Sequence, residues 1–161
     1  MSGAENESKI RIVKITEGTV IDHISTGHAL DVLRILGITG KEGNIVTIAM
    51  NISSFRIETK DIVKLEDRFL KDHEVDKIAL VAPDATINTI RDSKIEKKTR
   101  VQLPEVITAV IVCPNTRCVS NKEREPIVVK YDVVNRTPVK LKCQYCWTLI
   151  DEDAIIAQFI K

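Results

Sequence analysis

The 161-residue chain has four cysteines, in two close pairs. Cys113-x4-Cys118 lies in "VCPNTRCVSN" and Cys143-x2-Cys146 in "KCQYCW". Close pairs on two separate turns can converge as a tetrahedral four-sulfur site, and this spacing points to one structural zinc ion per chain. Catalytic zinc is disfavoured. An open metal site keeps three protein ligands and a water, whereas here four cysteines are available and His23, His28 and His73 all lie far upstream. The H-x-E plus P-C-x-x-C signature of nucleobase deaminases is absent. A redox Cys-x-x-Cys would leave the second pair idle. The metal has a physical task. A segment of about 55 residues buries too little apolar surface to fold securely, and metal binding contributes on the order of 10 kcal/mol. Lys140, Lys142 and Arg117 are close enough in sequence to moderate the charge of four thiolates. Trp147, beside Cys146, is expected to pack against the metal module.

A second group lies upstream. "GTVIDHI" (Gly18–Ile24) sets Asp22 beside His23, but strand alternation would send them to opposite faces, so no catalytic dyad is implied. No nucleophile of recognisable context accompanies them. Lys60 and Lys64 are four apart in "KDIVKLE", one face of a strand, and Lys97 and Lys98 fall on a later one. If those strands are neighbours, a lysine pocket suited to a polyphosphate forms from side chains, because no Gly-rich phosphate loop is present. Solvated strand lysines are the plainer reading of the same residues.

The elements that must position these groups follow from periodicity. "KIRIVKI" (Lys9–Ile15) alternates as a half-buried strand, and "VIDHI" continues as extended chain. Residues Thr26–Leu36 carry Ala29, Leu30, Leu33 and Leu36 at helical spacing, with Thr26 as the expected cap and Gly37 as the stop. Asn44–Ile52 and Lys60–Glu66 read as strands, Asp72–Pro83 as a short helix capped by Asp72. "ATINTIRD" and "SKIEKKTRV" read as a strand pair turning at Asp92-Ser93. The fold class is α+β: a mostly antiparallel amino-terminal sheet with two helices on one face, then a small carboxy-terminal all-β zinc-binding domain ending in a short helix at Asp151–Ile160. Residues 1–9 are expected to be a mobile tail, 10–100 the first domain and 101–161 the second, with a hinge at "TRVQLPE" (Thr99–Glu105).

Composition narrows the function. Apolar residues make up 43%, aromatics 4%, and the formal charge is +1. Residues 1–100 carry 16 basic and 16 acidic side chains, and 101–161 carry 8 and 7, so neither half is drawn to nucleic acid or membrane. A zinc-ribbon nucleic-acid-binding protein is the alternative reading, but no basic stripe with interleaved aromatics supports it. No signal core or membrane-length apolar run occurs, which fits a soluble, cytoplasmic protein.

"GTVIDHI", "KDIVKLEDRFL", "APDATINTI", "LPE" and "VCPNTRCVSN…KCQYC" occur in that order across nearly the whole chain. Together they closely resemble the regulatory-chain family of aspartate carbamoyltransferase. The resemblance implies a non-catalytic subunit of pyrimidine biosynthesis. Its amino-terminal domain would bind the nucleotide effectors ATP, CTP and, in some members, UTP, and its zinc domain would dock on the catalytic chain. Regulatory chains would pair, three such dimers bridging two catalytic trimers. By motif match, Asp22 and His23 would lie near ribose and phosphates and Lys64 near the ribose. Lys98 would be the principal triphosphate lysine, and Lys60 a further phosphate-side lysine with Asn51 nearby. Asn88 and Ile90 would surround ribose and base, while the backbone around Ile12, Val13 and Ile15 would read the base. Cys113, Cys118, Cys143 and Cys146 match the family's zinc ligands.

Overall fold

The computed structural model describes residues 14–53, 55 and 58–160. The strand expected over Lys9–Ile15 therefore falls largely outside the described residues. Five strands, β1 (Gly18–Ser25), β2 (Val46–Ser53), β3 (Thr59–Glu66), β4 (Thr86–Arg91) and β5 (Lys94–Arg100), form an antiparallel sheet in the order β2-β3-β1-β4-β5. Helices α1 (Ala29–Ile35) and α2 (Asp72–Ile78) cover one face. The alternation of β3 explains the layering. Asp61, Val63 and Leu65 are buried, while Lys60, Ile62 and Lys64 are only half-buried. Ile21, Val63 and Leu65 meet Ala29, Val32, Ile35 and Ile78 in the core. Each such aliphatic side chain contributes about 1.5–3 kcal/mol by leaving water.

Gly18 opens β1 with φ +137°, and a Cβ there would sit 2.0 Å from the Leu65 carbonyl oxygen. A side chain at this position would push β1 off β3. Asp92 and Ser93 have φ of 50° and 62°, so the β4–β5 hairpin turns where the sequence places it.

The expected helix caps move. Helix α1 starts at Ala29 with His28 before it, and Thr26 instead bonds through its hydroxyl to that of Thr59 at 2.6 Å. Helix α2 is entered from Lys71, whose amide donates to Glu74 Oε2 at 2.9 Å, so Asp72 is already in the first turn. Glu74, three residues on, closes the helix start from within by accepting from the Lys71 amide.

The second sheet, β6 (Val106–Thr108), β7 (Lys130–Arg136), β8 (Val139–Cys143) and β9 (Leu149–Ile150), is antiparallel in the order β6-β7-β8-β9. Helix α3 (Glu152–Ala157) follows, capped by the Asp151 carboxylate, which accepts from the Ala154 amide at 2.9 Å. Tyr131, Leu141 and Ile150 are fully or almost fully buried, as is Ile155 on the helix itself. The segment expected to be a hinge is packed: Val101 and Leu103 are 2% and 5% exposed, and the Val101 amide donates to the Ala85 carbonyl at 2.9 Å. Alternating apolar residues in "RVQL" give it an inward face, which makes it a seam between the two sheets rather than a loose connection. No helix among the described residues is long and apolar enough to cross a membrane.

Candidate functional site

The face of the first sheet turned away from the helices carries most of the expected residues. Strand register aligns Thr47, Lys64, Val20, Asn88 and Lys98 in one row across all five strands. Side chains directly opposite one another share a face, so Lys64 and Lys98 flank Val20 and Asn88 on the same side. A cavity of about 350 Å³ opens there, within the range of small-molecule pockets. Ile15, Val20, Ile62, Ile90 and Ile95 supply its apolar lining, and Lys14, Asp22, Lys64, Asn88 and Ser93 its polar groups. Asn88 Oδ1 is buried there and has no hydrogen-bond partner among the described residues. An acceptor left so costs about 1–3 kcal/mol, which a donor on a bound molecule would recover.

Asp22 and Lys60 join at the edge of this cavity, with Nζ–Oδ1 at 2.7 Å. Burial acts to raise the Asp22 carboxyl, but the Lys60 ammonium and the His23 amide outweigh it and hold the group below its ordinary value. The expected opposition of Asp22 and His23 does not hold. The pairing of β1 slips between Ile21 and Ile24, His23 adopts φ 57°, and its Nδ1 comes within 3.7 Å of Asp22 Oδ1. A bulge breaks the two-residue period, and the alternation argument breaks with it.

Of the expected residues, Ile15, Asp22, Lys64, Asn88 and Ile90 line the cavity. Lys60 reaches it through Asp22, and Lys98 sits exposed on the row beside Asn88. His23 and Asn51 lie at bulges outside the lining, Asn51 with φ 58°. Ile12 and Val13 lie outside the described residues. Strand periodicity could have added Val20 and Ile62, which share the face of Asp22 and Lys64. Lys14, Ser93 and Ile95 come in through loop and hairpin geometry that periodicity does not report. A larger cavity, about 400 Å³, lies on the opposite face between α2 and β4–β5, and Lys97, expected in the lysine pocket, lines this one instead, because it pairs with Thr89 and alternates with Lys98 along β5.

Asp61 went unnoticed in the sequence. It is fully buried, and its carboxylate accepts from the amides of Gly27 (2.9 Å), Ala29 (3.2 Å) and Asn51 (2.9 Å). It therefore fixes both the turn after β1 and the bulge of β2. The available signal was an acid at an inward position, followed by Val63 and Leu65.

The four cysteines converge. Cys113 Sγ lies 3.6 Å from Cys146 Sγ, Cys118 Sγ lies 3.8 Å from Cys143 Sγ, and all four sulfurs are within 4.8 Å of one another. A tetrahedral centre with metal–sulfur bonds of about 2.3 Å has sulfur–sulfur edges of about 3.8 Å. Disulfides need about 2 Å. The donor set and spacing thus fit a tetrahedral, thiophilic divalent ion. Local hydrogen bonds hold the loops. The Cys118 amide donates to the Asn115 carbonyl, and the Asn121 side-chain amide donates to the carbonyls of Cys113 and Asn115. The Trp147 amide donates to the Cys143 carbonyl. Burial, and then the sulfurs of Cys146 and Cys143, raise the Cys113 thiol; Cys143 is raised chiefly by burial. Each further thiolate charges the same small volume, and a bound divalent cation reverses that effect.

The hydroxyl of Ser120 lies 3.1 Å from Cys118 Sγ and that of Thr148 lies 3.1 Å from Cys146 Sγ. One expectation changes here. Trp147 does not pack on the module: it is 74% exposed at φ 64°, because the left-handed turn that closes the Cys143–Cys146 knuckle swings its side chain outward.

Comparison with known proteins agrees in both halves. Residues 10–102 match the family model "Aspartate carbamoyltransferase regulatory chain, allosteric domain", and residues 105–156 match "Aspartate carbamoyltransferase regulatory chain, metal binding domain". The chain is 51% identical over 155 residues to the aspartate carbamoyltransferase regulatory chain of Thermofilum pendens, covering 96% of this chain and 98% of that one. It is 48% identical over 157 residues to that of Hyperthermus butylicus, covering 98% of each. It is 51% identical over 140 residues to that of Methanothrix thermoacetophila, covering 87% and 90%.

Proposed function

The chain belongs to the family of aspartate carbamoyltransferase regulatory chains, and on that premise we propose that it binds nucleoside triphosphates on the open face of its first sheet and passes their effect to a catalytic chain. It is a non-catalytic, regulatory component of pyrimidine biosynthesis. The candidate effectors are ATP, CTP and UTP. The observation that carries the reading is the Lys64–Val20–Asn88–Lys98 row over the cavity, with Asn88 Oδ1 awaiting a donor. The base would rest on Ile15, Ile90 and the segment of Ile12 and Val13. Asp22, Lys64 and Asn88 would take the ribose. Lys60, Lys98, His23 and Asn51 would take the phosphates.

Calorimetric titration with CTP tests this. Lys98→Ala and Lys64→Ala are each expected to weaken binding about tenfold or more, the scale of one charge-assisted hydrogen bond, with metal content unchanged. Unaltered CTP affinity in both variants would remove the nucleotide from this face.

The proposed division is residues 10–100 for effector binding and 101–161 for one structural zinc ion and the catalytic-chain contact, after a tail over 1–9. Two surfaces support the family assembly of three regulatory dimers joining two catalytic trimers. Edge strand β2 and the residue before it expose Ile45, Ile48 and Met50, an apolar edge that a second copy would cover. The opposite edge, β5, is blunted by Lys94, Glu96, Lys97, Lys98 and Arg100. Around the metal knuckle, Tyr145, Trp147 and Leu149 are 40%, 74% and 57% exposed and form the proposed contact with the catalytic chain. Trp147→Ala should retain metal yet weaken association with catalytic trimers about tenfold, read by analytical ultracentrifugation. Wild-type association would place the contact elsewhere. Nucleotide then acts only through its differential affinity for two states of the assembly.

A further inference from the structure

Among the described residues, one ion pair crosses between the two halves of the chain. His28 Nδ1, just before α1, stands 3.2 Å from Glu152 Oε1 at the start of α3. The same nitrogen stands 3.2 Å from Asp31 Oδ2. A single Nδ1–H can serve one acceptor well, and the Asp31 contact has hydrogen-bond geometry. The attraction to Glu152 is therefore a matter of the ring's charge. A neutral ring leaves the Glu152 carboxylate facing Asp31 and Asp153; an imidazolium turns the contact attractive. Burial first, with Asp31 and Asp153 in support, raises the Glu152 carboxyl, while His28 opposes that shift.

His28 is also held from behind. The amides on either side of it, Gly27 and Ala29, both donate to the buried Asp61 carboxylate, and its own amide donates to the Ser25 carbonyl at 3.1 Å. The same carboxylate accepts from the amide of Asn51 at the β2 bulge at 2.9 Å. Hydrogen bonds thus run from the Asn51 bulge, through Asp61, to the turn before α1 that carries His28 against Glu152. The other groups around the ring's cavity are Ser25 from β1, Val81 and Pro83 after α2, and Arg136, Thr137 and Pro138 from the β7–β8 turn. Arg34 holds Asp31 at 2.9 Å.

We propose that His28 and Glu152 form a proton-sensitive link between the effector-binding half and the metal-binding half, with Asp61 as the positioning residue that ties this link to the nucleotide face. The link closes when the ring is charged and loosens when it is neutral. Its regulatory meaning rests on the function proposed above; its existence does not.

Two measurements separate these. In the full chain alone, urea unfolding of wild type, His28→Gln, Glu152→Gln and the double variant forms a cycle at pH 6.0 and pH 8.0. The two positions should couple about two- to fivefold in the folding equilibrium at the lower pH and not at the higher. No coupling at pH 6.0, or equal coupling at both, overturns the link. In the assembly reconstituted with catalytic chains, the CTP-induced shift in aspartate half-saturation should change between the two pH values in wild type. It should lose that change in Glu152→Gln, whose CTP affinity and metal content stay as in wild type. A pH-dependent shift retained in Glu152→Gln overturns the link's role in regulation. A wild-type assembly with no CTP response at either pH refutes the proposed function, and the unfolding cycle still decides the link.

Discussion

Cys143→Ser is expected to yield a chain that purifies without metal, with residues 105–156 open to proteolysis and no association with catalytic trimers. The reason is the size of the contribution at stake. The second sheet has strands of 3, 7, 5 and 2 residues, and Cys113, Cys118 and Cys143 are buried in the same core as Tyr131, Leu141 and Ile155, with Cys146 packed against it. Removing the metal withdraws on the order of 10 kcal/mol from a module that size, more than its apolar contacts supply. Cys143 is the most demanding of the four, because it ends β8, pairs with Tyr131 across the sheet and is fully buried. Metal analysis and limited proteolysis check the result together. A metal-free variant that stays protease-resistant over 105–156 and still assembles would show that the site does not hold the fold. Chelation of the wild-type chain should reproduce the loss, and added zinc should reverse it.

Asp61→Asn is expected to destabilise the chain by about 2–4 kcal/mol in urea unfolding, with CTP affinity falling as well. Three backbone amides point at this carboxylate from two loops. An asparagine keeps the shape but offers one oxygen and turns an N–H toward amides that are themselves donors. Breaking a buried charged hydrogen-bond set leaves the remaining groups desolvated and unpaired. The effect extends to the nucleotide face, because the same carboxylate fixes the Asn51 bulge. Stability within about 0.5 kcal/mol of wild type would refute the anchoring role.

Both predictions concern residues whose roles differ in how far the sequence reveals them. The cysteine spacing was enough to foresee a four-sulfur site, since ligand pairs on tight turns constrain their own geometry over a few residues. Nothing comparable marks Asp61. Its partners, Gly27, Ala29 and Asn51, are 10 to 34 residues distant, and only sheet register brings their amides together. The outward side chain of Trp147 and the cap positions of α1 and α2 were likewise decided by backbone angles and hydrogen bonds that residue type does not encode alone.

The sequence by itself determined the α+β class, the strand and helix order from β1 through α3, the β4–β5 turn, and the convergence of Cys113, Cys118, Cys143 and Cys146. These follow from short-range periodicity, turn chemistry and ligand spacing, and all act over a few residues. It also pointed to Lys64 through strand spacing as well as motif, and to Asp22 and Asn88 through motifs. The tertiary structure alone decided which lysines share a row, that a bulge brings Asp22 and His23 together, that Val101 and Leu103 form a packed seam, and that His28 meets Glu152. Each of these depends on register and packing between segments far apart in the chain, and a one-residue slip would have sent the same side chains to the other face.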